Sequence, residues 1–203
     1  MKRKIIMLFF IIFFGILFFI TIANLKFDNK KENKNDINIV TSFYPIYIMT
    51  KNITNGIDNV NVTNMTDFNI GCLHDYTLTP NDMKKIEESN LFIINGKGME
   101  SFLFDALEEK DINIIDSSEG ITAIEEEKEV NSHIWNDPLR YILQVKNITD
   151  ALEKYDPDNF EKYENNSVEY IDKLLSLNDS KKELRKYNNN IIIFHESLEY
   201  FID

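Results

Sequence analysis

A single cysteine, Cys72, in 203 residues excludes an intramolecular disulfide framework. Only 6 glycines and few alanines occur in a chain rich in Asn, Ile and Lys, a bias that reads as genomic background and carries no functional weight. Basic residues are also scarce: 22 Lys and Arg stand against 34 Asp and Glu, giving a net charge of −12. The first 25 residues hold Lys2, Arg3 and Lys4 and no acid, so the remainder is more acidic still. Such a body argues against nucleic acid or anionic lipid as a partner and is compatible with cations. No internal repeat and no H-E-x-x-H element is present. Histidine is rarest among the chemically versatile side chains after that one cysteine, with three copies at 74, 133 and 195.

What is present begins with an apolar run. Residues 5–23 are apolar except Gly15 and Thr21. At ~1.5 Å per residue the run is about 28 Å long, near the hydrocarbon thickness of a bilayer. Secretory signals usually have an apolar stretch of only roughly 7–15 residues, so an uncleaved anchor is favoured over a cleaved signal. The basic cluster ahead of it keeps the N-terminus inside and everything after it outside. No cysteine follows the run closely enough to carry a lipid. Residues 26–36 read as a charged tether, so the working part is expected outside the cytoplasm, held at the membrane.

From residue 37 strands and helices alternate. INIVTS (37–42) and NVNVTNM (59–65) read as strands flanking a helix opened by Pro45. Thr79, Pro80 and Asp82 form a helix start with a capping box, and LFII (91–94) is a short buried strand. A helix over 99–110 and a strand over 112–116 come next. Alternation of this kind implies a mostly parallel α/β sheet. EEEKE (125–129) reads as an acidic loop. Asp137-Pro138 opens a helix through Tyr155, and Asp156-Pro157 restarts a second, apolar-faced one of about thirty residues, or ~45 Å. IIIF (191–194) is a last buried strand ending on His195.

A lone histidine near a strand end is usually a hydrogen-bonded structural residue. Here all three fall at loop-to-helix or strand-end junctions, which in open α/β sheets gather at the carboxyl edge where ligands bind. Three neutral imidazoles plus a carboxylate or water suit a tetrahedral zinc ion. Their spacings, 59 and 62 residues, match no local zinc motif, so convergence is an expectation from topology. Cys72, two residues before His74, could offer a thiolate to zinc but reads first as a small loop residue, because C-x-H alone is no zinc signature. Asp75 reads as a turn residue or an acceptor orienting His74, and Trp135 and Tyr76 as packing groups. Glu196 could supply a carboxylate but, as the residue after His195, is expected to point away.

H-D-Y-x-x-x-P-x-D from His74, then SNLFIINGKGME, H-x-W-x-D-P from His133, a long helix and IIIFHESLEYF together resemble the metal-binding solute receptors of ABC transporters, the cluster A-I zinc and manganese family. The resemblance covers residues 37–203. It implies two α/β lobes bridged by a long helix, with His74 and His133 as metal ligands from the amino-terminal lobe and His195 as the third. It further implies Zn²⁺ as the transported ligand, Mn²⁺ being the less favoured alternative, and a membrane permease as partner to a monomeric receptor. Family members continue for roughly another lobe and supply a fourth ligand, an Asp or Glu, from near their end. This chain leaves no room for it.

The expected architecture is therefore a parallel-sheet N-terminal lobe (37–137), linking helices (138–188) and the start of an incomplete C-terminal α/β lobe (189–203). Two alternatives stand beside the receptor. One is a degenerate fragment acting only as a membrane-anchored surface or interaction protein. The other, a zinc hydrolase, lacks a candidate general base and is disfavoured.

Overall fold

The structure is a computed structural model that describes Gly15 and residues 36–74, 76–108, 110–126, 129–184, 186 and 195–202. The chain divides into two units, 1–35 and 36–203, and every strand, helix and site residue named below belongs to the second. The expected anchor and tether, Asp75, and the strand over 191–194 lie outside the described residues. Among those residues no helix is long and apolar enough to cross a membrane.

Four strands form one parallel sheet: β1 (Ile37–Thr41), β2 (Val60–Asn64), β3 (Leu91–Ile94) and β4 (Ile114–Asp116), in the order β2-β1-β3-β4. The register pairs Ile39 with both Val62 and Leu91, and Phe92 with Ile114. β3 is buried at all four positions, as expected of a central parallel strand covered on both faces. Side-chain alternation divides its residues between two cores. Leu91 and Ile93, with Ile39 of β1, face Ile46, Met49 and Ile53 of helix α1 (Tyr44–Ile53). Phe92 and Ile94, with Val40, face Ile86 of α2 (Pro80–Glu87) and Leu103 and Leu107 of α3 (Ser101–Leu107). The sheet is thus the middle of three layers.

The α2 start matches its sequence signature. Asp82 N–H donates to Thr79 Oγ1 at 3.3 Å, while Thr79 N–H returns to Asp82 Oδ2 at 3.0 Å. Three elements differ from expectation. α3 is shorter than 99–110 because the chain first turns through Gly96–Glu100, where the buried Glu100 carboxylate accepts from Asn95 N–H (2.7 Å) and Gly96 N–H (3.0 Å). The acidic stretch is a small antiparallel hairpin, β5 (Glu125–Glu126) with β6 (Glu129–Val130), rather than a plain loop. The long helix loses its first turn to a 3₁₀ corner at Pro157–Asn159.

Two helices back the sheet: α4 (Pro138–Tyr155) and α5 (Phe160–Leu184), the latter 25 residues or ~37 Å long. The corner between them is held by Asp156 Oδ2, which accepts from Tyr163 Oη at 2.9 Å and Asn159 Nδ2 at 2.8 Å. Ile142, Val145, Ile148 and Leu152 of α4 and Tyr163 and Leu174 of α5 join the core built on α1. Asn166 Nδ2 donates to the carbonyls of Ile53 and Asn55, each at 2.9 Å, closing the C-terminal end of α1. The last described segment, ending in the short helix α6 (Glu199–Ile202), packs by Tyr200 against Ile121 and Ile134.

Candidate metal centre

The centre is assembled at the carboxyl edge of the sheet from three loops. The loop after β2 carries Cys72 and His74, held by Leu73, which is fully buried in the core between them. The stretch after β6 carries His133. His195 sits at the entry to a 3₁₀ turn at Glu196–Leu198.

Buried polar contacts fix the His133 segment. Asn95, directly after β3 and fully buried, donates from Nδ2 to Ser132 O at 3.0 Å and accepts at Oδ1 from Gln144 Nε2 at 3.0 Å. Gln144 also donates to Ser117 Oγ at 2.8 Å, which ties α4 to the same loop. One residue on, the His133 ring is almost completely buried. Its Nδ1 lies 2.9 Å from Asn131 Oδ1, and its backbone N–H donates to the same oxygen at 3.1 Å. Asn131 Nδ2 is already committed to Glu199 Oε2 (2.7 Å) and Glu196 O (3.1 Å). The amide oxygen must therefore face the imidazole, so Nδ1 carries the ring proton and Nε2 presents a lone pair.

The other two imidazoles gather beside this ring. Ring centroids of His74 and His133 are 5.0 Å apart, those of His133 and His195 also 5.0 Å, and those of His74 and His195 6.3 Å. Trp135 lies against His133 at 5.0 Å and edge-on to Phe43 at 4.9 Å, a packing role as expected. Tyr76 likewise packs on Phe102 at 5.9 Å, with its hydroxyl donating to Asp82 at 2.8 Å.

Two further side chains join the cluster. Cys72 Sγ is 3.4 Å from His133 Nε2. Glu196 does not point away: its Oε1 lies 3.7 Å from His74 Nε2. The strand alternation that turned it outward does not apply, because the chain leaves extended geometry at His195 and enters a 3₁₀ turn. Donor atoms of Cys72, His133 and His195 lie within 4.8 Å of one another, as do those of His74, His133 and Glu196. The two sets share only His133. Asn131 and Glu199 support the site yet gave no motif in the sequence; the hint for Asn131 was an amide two residues ahead of a histidine.

The geometry suits a cation. Burial, with His74 and His195 adding to it against an opposing pull from Glu199, pushes His133 from 6.5 down to about 4. Its lone pair therefore stays free of protons through the neutral range. His195 differs: its Nδ1 accepts from Ser197 N–H at 3.0 Å. A neutral His195 in that state carries its proton on Nε2, and offering a lone pair to a metal means giving up that bond.

Folding lowers the His133 pKa, so between about pH 6.5 and 4 the folded chain holds fewer protons than the unfolded one. The neutral ring's contribution is then present above pH 6.5 and lost as pH falls toward 4. Melting of the metal-free protein across that window should show the loss, and His133→Gln should flatten it; an equal slope in both proteins would refute the assignment. Asn131→Ala removes no candidate metal ligand but frees the His133 ring and its tautomer. It should weaken zinc binding about 10- to 100-fold in a competition titration, against no change if Asn131 merely fills space.

An α/β lobe backed by two long helices, with histidines gathered at the carboxyl edge of a parallel sheet, defines a class of metal-receptor proteins. The chain belongs to one family within it: the ZnuA family, zinc-uptake complex component A, periplasmic, matches residues 39–203. It is 33% identical over 167 residues to the high-affinity zinc uptake system protein ZnuA of Bacillus subtilis, covering 72% of this chain and 51% of that one. The crystal structure of the metal-dependent lipoprotein YcdH of Bacillus subtilis superimposes with a TM-score of 0.74 at 32% identity, covering 82% of this chain and 63% of that chain. Zn(II)-bound AdcA of Streptococcus pneumoniae gives 0.72 at 29%, covering 81% and 36%. The chain thus spans about half the length of the Bacillus uptake protein. A family of uptake components sets aside the hydrolase reading.

Proposed function

We propose that this protein captures Zn²⁺ outside the cytoplasm with His74, His133 and His195 and hands it, as a monomer, to the membrane permease of an ABC transporter. The carrying observation is the buried His133, beside whose ring two further imidazoles lie with centroids 5.0 Å away. On this reading, residues 37–137 supply His74 and His133, the helices of 138–188 link the lobes, and 189–203 begin the second lobe with His195. The apolar run at 5–23 exports or anchors the chain. Imidazole donors suit zinc better than manganese, and the acidic body favours cations generally. Because α4 and α5 pack along the sheet, metal binding orders the donors more than it closes a hinge. The degenerate-fragment reading is not favoured, since the family match runs through residues 39–203.

The test is a calorimetric zinc titration with a competing chelator. One tight site is expected, and His74→Ala should lower its affinity by about 100-fold or more, beyond what loss of an outer contact costs. Only loose binding, unchanged by His74→Ala, would overturn the reading.

A further inference from the structure

We propose that Cys72 is a ligand of the captured cation, completing with His74, His133 and His195 a one-sulfur, three-nitrogen site that selects zinc over manganese. This rests on the three-histidine reading and adds the fourth donor to it. The contact between Cys72 and His133 carries it, on two counts.

The first is distance. A tetrahedral zinc ion with Zn–S about 2.3 Å and Zn–N about 2.0–2.1 Å places sulfur and nitrogen roughly 3.5 Å apart. Cys72 Sγ and His133 Nε2 are 3.4 Å apart before any ion is added. The His195 donor lies within 4.8 Å of both, so closure there is at most about an ångström. His74, which falls in a separate group with His133 and Glu196, must draw in towards Cys72 and His195 on metal binding.

The second is the state of His133. This ring is 1% exposed, and its Nδ1 is committed to Asn131. Among the described residues, the hydrogen-bond partner of Nε2 is that sulfur alone. A buried imidazole thus aims its lone pair at a thiol, a weak donor, where a cation would satisfy both.

Glu196 is the competing fourth donor. Its side chain is 55% exposed and approaches His74, itself 43% exposed, at 3.7 Å. A hydrated carboxylate at the rim is already well solvated, whereas Cys72 is half-buried beside the most buried histidine. On zinc binding the thiol proton leaves to solvent, sulfur donates as thiolate, and the imidazoles remain neutral. Thiolate is a soft donor that suits zinc, whereas manganese prefers carboxylate and water. The sulfur therefore supplies selectivity that a carboxylate at this position would relax.

Cobalt(II) bound to the full chain in detergent is the probe, because its absorption separates geometry from ligand identity. Wild type should show the visible d–d bands of a four-coordinate ion together with a sulfur-to-cobalt charge-transfer band in the near ultraviolet. Cys72→Ser should keep the d–d bands, lose the charge-transfer band, weaken zinc about 10- to 100-fold and narrow the zinc-to-manganese ratio. Glu196→Gln should keep the charge-transfer band. Should wild type show d–d bands without charge transfer, Cys72 is not a ligand while the three histidines stand. Failure of wild type to bind cobalt or zinc overturns both readings. If Cys72→Ser does not fold, wild type still decides: zinc should protect its thiol from alkylation, and an unprotected thiol in the zinc-loaded protein refutes the ligand.

Discussion

Replacing His133 by alanine is expected to abolish tight zinc binding, a larger loss than any other single substitution in the cluster. His133 is the one donor common to both sets of mutually close ligand atoms, so its removal dismantles each at once. It is also the donor whose lone pair is pre-oriented, by the Asn131 amide that Glu199 and the Glu196 carbonyl hold in place. Alanine leaves Asn131 Oδ1 with only the backbone N–H of residue 133 and opens a cavity under Trp135. The stability cost should be about 2–4 kcal/mol from the lost hydrogen bond and the lost packing together. Because that cost could unfold the variant, His133→Gln serves as its companion. It should fold close to wild type by circular dichroism and still bind zinc at least about 100-fold more weakly. Tight binding by a folded His133→Gln would show that the cation sits elsewhere.

Gly96→Ala is expected to be the most damaging change to the fold itself. Gly96 has φ +83°, a conformation that side-chain-bearing residues adopt only under strain. A Cβ there would lie 1.9 Å from Asp116 Oδ1 and 2.2 Å from Ser118 Oγ, well inside contact distance. Asp116 cannot simply swing aside, because its Oδ1 accepts from Ser118 N–H at 2.8 Å and Ser118 Oγ at 2.6 Å. Backbone strain and the clash together should cost about 3 kcal/mol or more, a fall in melting temperature on the order of 10 °C. Gly98 has nearly the same φ, +84°, but open space around its missing Cβ, so Gly98→Ala should cost only about 1 kcal/mol. Thermal melts of the two variants side by side separate clash from strain. Equal melting temperatures would mean that the approach to Asp116 is not tight in solution.

Much of the lobe could be read from local pattern. Thr79, Pro80 and Asp82 announce a helix start because every partner in a capping box lies within three residues. Leu91–Ile94 reads as a buried strand because four apolar residues in a row can satisfy a sheet only where both faces are covered. The place of His74 was legible from topology, since it lies on a loop leaving a strand of the parallel sheet, whereas His133 follows the small antiparallel hairpin. The support of the histidines was not legible. Asn131 bonds Glu199 across 68 residues and Glu196 O across 65, and no periodicity in sequence reports a contact at that range. The Glu196 orientation was misread because alternation was carried past the point where extended backbone ends. The closeness of Gly96 to Asp116 was hidden for a related reason: it joins the ends of neighbouring strands β3 and β4, and a glycine in a turn looks the same whether or not something presses on it.

The docking of Tyr200 bears on when the three histidines can come together. Tyr200 Oη donates to Asn131 O at 2.5 Å and accepts from Ile124 N–H at 2.8 Å, reaching back 69 and 76 residues. Most of that separation is spanned by α4 and α5, so the third histidine comes home only after both helices have formed and folded back on the sheet. A chain passing unfolded through a membrane pore has its histidines strung out in single file and holds no assembled pocket. On the proposed reading, such a chain would load zinc only after it had crossed and folded.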